Sequence, residues 1–438
     1  MTTMPELATC LTTDLVAITR GRSFPVGALE GYLARGTGWV PANMALTPFD
    51  IIAEDNPWGS AGDLRLLPDP ATRLRLEGIG ASPLHFFLSD IATLDGKPWE
   101  CCPRSLLKRA LQTLQQETGF SLLSSFEHEF QILGADWPAA PAFSLAAMRR
   151  ADPFGPRLLA LMEQAGLEPE MFLPEYGQDQ FEVTLRPADP LTAADRAVAL
   201  RLLVQELAAE RGWRASFAPK TAPDGVGNGV HIHLSLRDAG GRPAMRDETR
   251  PGALSEAAGR FCAGIVRHMP ALLALTAPSP ISYLRLQPHH WSAAYACLGE
   301  RNREAGLRIC PVVTMPGADP AKQMNVEFRA TDATANPYLA LAGLVLAGLS
   351  GLREGLAQPP LVNSDPSELP EAELASLNVR RLPADLPAAL AAFEADPLLT
   401  AALPENLRKC LLAVKRKEMA LVEGLSPEDL CARYRAVY

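Results

Sequence analysis

Residues 124–133 read SSFEHEFQIL, and the alternation within them decides what kind of sheet the chain builds. On a strand, alternate side chains share a face, so Glu127 and Glu129 lie on one side and Phe126 and Phe130 on the other. Three later stretches repeat the spacing: QFEVTLR carries Glu182 and Thr184, NGVHIHLSL carries His231 and His233, and NVEFRAT carries Glu327 and Arg329. A solvated face mixes Lys, Ser and Thr among its acids. These pairs concentrate Glu and His with almost no lysine, which is the composition of a metal-lined cavity on a sheet whose other face is apolar.

The chain has 438 residues and a formal charge of −9. That length buries a large core and suggests more than one structural unit. The negative balance argues against a nucleic-acid surface and against attraction to anionic lipid, leaving small-molecule chemistry as the better starting point. The start, MTTMPELATCLTTDLVAITRGRSFPV, has neither the basic segment nor the uninterrupted apolar core of a secretory signal. The most apolar run, NPYLALAGLVLAGLSGL, is short for a bilayer crossing. With Asn336 as N-cap and Pro337 at the first helical position, it reads as a buried helix. Eight cysteines are scattered without CxxC spacing, so neither a disulfide framework nor a zinc ribbon is expected, and a cytoplasmic location follows.

Residues 1 to about 100 are rich in Pro and Gly with short apolar runs, as in a small β-rich unit. Pro103 then opens a helix that stops at Gly119, and a second helix covers about 153 to 165. A third follows QFEVTLR, with Thr192 and Asp195 at capping-box spacing and Gly212 as its stop. Helices alternating with the acidic strands are expected to cover the apolar side of the sheet. The last hundred residues read as mostly helical, and the final helix is capped by Ser426 with Pro427 and Asp429 behind it.

Glu127, Glu129, Glu175, Glu182 and Glu327 in one pocket would repel strongly, and two divalent cations would nearly cancel them. Carboxylates with imidazole suit Mg²⁺ or Mn²⁺ better than zinc. A cationic cluster follows in SYLRLQP and ERNREAGLR, which hold Arg285, Arg301, Arg303 and Arg308. Arginine forks opposite metals neutralise charge on a transferring phosphoryl group, although Arg301 beside Glu300 also fits a solvated face. DGVGNG before the histidines lacks Walker spacing, which disfavours a P-loop kinase.

SSFEHEFQIL, EYGQDQFEVTL, APKTAPDGVGNGVHIHLSL, SYLRLQP with ERNREAGLR, and VEFRATDATANPYLALAGLVLAGL stand in the order and approximate spacing of the glutamine synthetase family. The chain resembles that family over nearly its whole length, in pattern nearest its γ-glutamyl-amine and γ-glutamylpolyamine synthetase branch. The resemblance implies an α+β fold: an N-terminal β-grasp domain over residues 1–100, and over 101–438 a catalytic domain with a curved antiparallel sheet flanked by helices. It implies ATP and two Mg²⁺ or Mn²⁺ per site, with glutamate and an amine as substrates. It also implies a homo-oligomeric ring, hexamer or dodecamer, with active sites between subunits. Carried over by motif, Glu129, Glu175 and Glu182 would hold one metal, and Glu127, His231 and Glu327 the other. His233 and Arg308 would face the ATP phosphates, with Glu170 and Ser235 near the nucleotide. Arg285, helped by Gly227, would hold the α-carboxylate of glutamate, while Arg303 and Arg329 approach the γ-carboxyl and phosphoryl groups. ATP would phosphorylate the γ-carboxylate, and an amine would then displace phosphate.

The chain departs from the family pattern at four places. Where ammonia-using members carry a glutamate after SYxRLxP, this chain has Trp291, preceded by His289 and His290. The loop expected to supply a neighbour's aspartate reads DNPWGSAGDLRLLPD, Val226 stands at an asparagine position, and Gln178-Asp179-Gln180 replaces a proline-glycine-glutamine stretch. An indole is no base, so Trp291 is read as the wall of a pocket for an organic amine, and His289 or His290 as acceptor of its proton. No acidic entrance for a polyamine is evident, which favours a monoamine. Two other readings stand beside this one: a glutamine synthetase using ammonia, and a non-catalytic binding homologue.

Overall fold

The computed structural model describes residues 4–290 and 292–438, and among these the chain forms two sheets. The first takes β1 (Leu7–Thr13), β2 (Thr19–Pro25), β3 (Thr37–Trp39), β4 (Leu64–Pro68), β5 (Leu74–Leu76) and β6 (Leu84–Ala92). Its order is β2-β1-β6-β4-β3, with β5 added on β6, and only β1 and β6 run parallel. The apolar alternation of β6, with Phe86 and Leu88 against His85 and Phe87, buries both of its faces.

The second, curved sheet holds β7 (Ser121–Leu133), β8 (Pro169–Pro174), β9 (Gln180–Leu185), β10 (Arg214–Ser216), β11 (Val230–Arg237), β12 (Tyr295–Glu300), β13 (Ala305–Ile309), β14 (Val326–Phe328) and β15 (Arg380–Arg381). Its order is β15-β12-β13-β14-β11-β7-β9-β8, with β10 on the end of β7. All pairs are antiparallel except β12 with β13, so the sheet is antiparallel with one exception. The alternation on β7 holds. Phe126, His128 and Phe130 turn toward the helix side, where His128 lies 6.1 Å from the Phe217 ring. Burial there, reinforced by Arg201, depresses His128 to about 3, so it stays a neutral core residue.

Helices Pro103–Thr118, Pro190–Ala209, Glu256–Thr276 and Pro337–Glu354 cover that apolar side. The first ends, as expected, on Gly119 in the left-handed region with φ of 73°. Helix Pro337–Glu354 is capped by Asn336, whose side chain accepts from the amides of Tyr338 and Leu339. It lies against Glu256–Thr276 so closely that a Cβ on Gly351 would stand 2.0 Å from the Arg260 carbonyl oxygen. This apolar run is therefore spent on internal packing, and no helix among the described residues is long and apolar enough to cross a membrane. The third helix differs from expectation at its start. Asp189, not Thr192, is the N-cap, accepting from the amides of Leu191 and Thr192, because Pro190 takes the first helical position.

Asp195, released from capping, does something else. It receives two hydrogen bonds from Arg104, at 2.9 and 2.7 Å, and one from the Tyr338 hydroxyl at 2.7 Å. The same guanidinium reaches Asp69 at 2.9 Å and Asp90 at 3.3 Å, both in or beside strands of the first sheet. One buried arginine thus ties the first sheet to three helices of the second unit. Breaking such a buried pair leaves an uncompensated charge, so Arg104→Met is expected to lower unfolding free energy by about 3–5 kcal/mol in denaturant titration. A loss below about 1 kcal/mol would mean the cluster is solvated and structurally minor.

Candidate active site

Strand register assembles the site. Glu182 on β9 stands opposite Glu129 on β7, Glu127 opposite His231 on β11, His233 opposite Glu327 on β14, and Glu327 opposite Arg308 on β13. Five neighbouring strands therefore contribute one continuous row of polar groups across the concave face. They line a cavity of about 510 Å³ together with Glu175, Gly227, Arg285, His290, Arg303 and Arg329.

Within it, the ligand atoms of Glu127, Glu182 and His231 lie within 4.8 Å of one another, as do those of Glu127, His233 and Glu327. These two sets differ from the expected division. Glu127 belongs to both, His233 stands 3.1 Å from Glu127, and Glu327 is shared by Arg329 and by Arg308 at 2.7 Å. The Glu129 and Glu175 carboxylates accept instead from the amides of Gly229, at 2.7 Å, and Tyr176, at 3.1 Å.

The electrostatics sort these acids into two kinds. Burial, with repulsion from Glu127, Glu129, Glu175 and Glu327, pushes Glu182 up to about 9. Burial and then Glu129 push Glu175 up to about 6. Burial would raise Glu327 too, but Arg329, His231 and His233 outweigh it and hold Glu327 at about 2. Glu127 is likewise drawn well below its ordinary value despite burial, by His233 and His231, and burial of His233 is outweighed by Glu127, which raises that imidazole. Crowded carboxylates, two of them made harder to ionise by burial and mutual repulsion, stand beside imidazole nitrogens and form a hard donor set that fits Mg²⁺ or Mn²⁺.

The arginines fall around this row. Arg285, 4 % exposed, donates to the carbonyls of Thr331 and Arg329 at 3.0 and 3.2 Å. Gly227 lies against it, since a Cβ there would come 2.7 Å from Arg285 Cγ. Arg303 and Arg308 line the cavity, whereas Arg301 is exposed beside Glu300 and is not among the lining residues. His290 lines the cavity, but His289 turns outward to Asp365 at 3.2 Å. Glu170 is exposed on β8, and Ser235 donates to the Met324 carbonyl at 3.0 Å, so neither is among the cavity's lining residues. Trp291 lies outside the described residues.

Several lining residues have no role assigned by the sequence pattern. Gln180 donates to the Gly227 carbonyl and to the Asn228 side chain, both at 2.9 Å, and so fixes the glycine loop. Phe143 and Tyr176 stand at the mouth, with Leu173 and Val226. An aromatic in a Pro-rich loop gives no periodicity by which it could have been singled out.

Residues 2–99 match the glutamine synthetase N-terminal domain and residues 100–431 the glutamine synthetase catalytic domain. The chain belongs to the glutamine synthetase family. It is 36% identical to the gamma-glutamylpolyamine synthetase GlnA3 of Streptomyces coelicolor, over 97% of this chain and 92% of that one. It is 31% identical to the glutamine synthetase of Thermococcus kodakarensis, over 84% and 81% of the two chains. A crystal structure described as a novel glutamine synthase homolog superposes with a TM-score of 0.92 at 49% identity, each chain covered completely.

Two outcomes follow from the geometry. Glu175 and Glu182 have folded values above the ordinary carboxylate range, so the stability present while both are protonated is lost as pH rises from that range, levelling off above about 6 for Glu175 and above about 9 for Glu182. Divalent metal offsets that cost, so the rise in Tm on adding Mg²⁺ or Mn²⁺ should grow between roughly pH 6 and 8, with apparent affinity increasing up to about tenfold per pH unit. A metal effect independent of pH would contradict the protonation assigned to these acids. Gly227→Ala should displace Arg285 and lower the ligase activity, measured as kcat/KM, at least about tenfold while Tm changes little.

Proposed function

We propose that the protein is an ATP-dependent ligase joining the γ-carboxylate of L-glutamate to an organic amine through γ-glutamyl phosphate. The observation that carries the amine assignment is chemical. From Leu286 to Gly299, the stretch beside the glutamate-binding arginine, the chain has no Asp or Glu, and Trp291 stands where an ammonia site would want a carboxylate. The Streptomyces relative, described as a gamma-glutamylpolyamine synthetase, supports an organic amine as acceptor.

In this reading Arg285 and Gly227 take the α-carboxylate of glutamate, and Arg303 and Arg329 bracket the γ-carboxyl and the phosphoryl group. His233 and Arg308 face the nucleotide phosphates, with Glu170 and Ser235 farther along that end. Glu127, Glu129, Glu175, Glu182, His231 and Glu327 would hold two Mg²⁺ or Mn²⁺, which supply positive charge against the phosphates. The amine nitrogen bonds to the γ-carbonyl carbon, the bond from that carbon to the phosphate oxygen breaks, and phosphate leaves with the electron pair. The ammonium proton goes to His290. Burial, then Lys220 and His289, lower that imidazole below its ordinary value, which keeps it neutral and able to accept. His289, directed to Asp365, is a support rather than the acceptor. Assembly into a ring with sites between subunits belongs to the same proposal.

ADP release measured with glutamate and a panel of ammonia, methylamine, ethanolamine, putrescine and aromatic amines tests it. An organic amine should exceed ammonia in kcat/KM by at least about tenfold, and Glu327→Ala should cost at least about a hundredfold. Preference for ammonia would make the protein a glutamine synthetase, and release that does not need glutamate would remove the ligase assignment.

A further inference from the structure

Between helix Glu256–Thr276 and β12 lies another cavity, of about 330 Å³, which shares no lining residue with the active-site cavity. It opens at a seam. Val266 and Leu298 on its wall belong to the main apolar core, whereas Cys297 and Val379 belong to a smaller, separate cluster. Protein interiors ordinarily close to crystal-like density, so a gap of this size between two apolar clusters forfeits contacts that a molecule of fitting shape would supply. Pro359 and Pro360 stiffen one wall, because their rings fix φ. Small-molecule sites have this size and this make-up, mainly apolar with a few convergent polar groups.

The polar groups select the charge of the occupant. Arg267 and Arg380 both line the cavity, and Arg380 Nη2 donates to the Arg267 carbonyl at 3.2 Å, which seats that guanidinium against the helix wall. Arg267 is paired with Glu354, whereas Arg380 has no ion-pair partner among the described residues. Among the described residues that line the cavity, none is Asp or Glu. An unpaired guanidinium beside apolar walls fits a carboxylate on an apolar body, since its fork donates to both oxygens. An ammonium would find no counter-charge there, and a dianion would press its second charge against carbon. Cys297 offers no chemistry of its own: burial raises its thiol to about 12, so it stays protonated and serves as apolar wall.

We propose that this cavity is a second small-molecule site, and that it takes a monocarboxylate with a compact alkyl or aryl body. The carboxylate meets Arg380 at the entrance, and the apolar body lies between Val266 of the main core and Val379 of the smaller cluster. Ala263, small and on the helix wall, leaves the space that the body fills. The assignment goes beyond the ligase reading and does not depend on it.

Isothermal titration calorimetry with 3-phenylpropanoate and its neutral isostere 3-phenylpropanamide tests it, on wild type, Arg380→Gln and Ala263→Phe, each variant checked by its Tm. Wild type should bind the carboxylate with Kd at or below about 1 mM, and the amide at least about tenfold more weakly. Arg380 is exposed, so Arg380→Gln should keep the fold, and it should weaken the carboxylate at least about tenfold while leaving the amide unchanged. Ala263→Phe should fill the cavity and abolish binding of both; should that variant fail to fold, Arg380→Gln decides alone. Unchanged carboxylate binding in either folded variant places the probe elsewhere, among the arginines of the active-site cavity, and overturns the assignment. Equal binding of acid and amide, or no binding of the acid up to about 10 mM, overturns it as well.

Discussion

Repulsion among glutamate carboxylates is the constraint on which the site depends. Five converge on one concave face, and two of them, Glu129 and Glu182, sit directly opposite across a strand pair, an arrangement that is destabilising by itself. The chain answers this in two ways. Imidazoles and arginines neutralise one side, so that Glu127 and Glu327 stay ionised, while burial and repulsion raise Glu175 to about 6 and Glu182 to about 9, so that Glu182 holds its proton at neutral pH. A pocket so divided is a receptor for divalent charge, and the cost of its assembly is carried by the apolar packing on the other face of the same strands.

That other face explains why the sheet needs its helices. Phe126, His128, Phe130 and Phe181 turn away from the acids into a core closed by the helices Pro190–Ala209 and Pro337–Glu354. Glycine contacts let Pro337–Glu354 and Glu256–Thr276 approach closely, and the Arg104 cluster holds the first sheet to the same layer. Rigidity behind the strands keeps the polar row in register, so the cavity shape is set by packing rather than by its own mutually repelling groups.

Much of this was legible in the linear order. Period-two alternation placed Glu127, Glu129, His231, His233 and Glu327 on one face, and Asn336, Ser426 and Gly119 marked helix ends because capping is a local interaction. Asp195 was misread as a capping residue for the same reason. Its spacing from Thr192 satisfied a local rule, but Asp189 and Pro190 took the cap, and a long-range partner, Arg104, claimed the carboxylate. His289 and His290 are adjacent in sequence with equal claims to the pocket; only the backbone turn between them sends one inward and the other to Asp365.

The sequence by itself determined which residue types share a face and which segments cap or stop, since these follow from the geometry of a few bonded neighbours. Tertiary structure alone decided which carboxylates share partners, which keep a proton, and which side chains form the mouth. Those properties depend on distances between strands far apart in the chain and on how much solvent is excluded from between them. Phe143 and Tyr176 show the division plainly: 33 positions separate them in the sequence, and their ring centroids stand 6.4 Å apart.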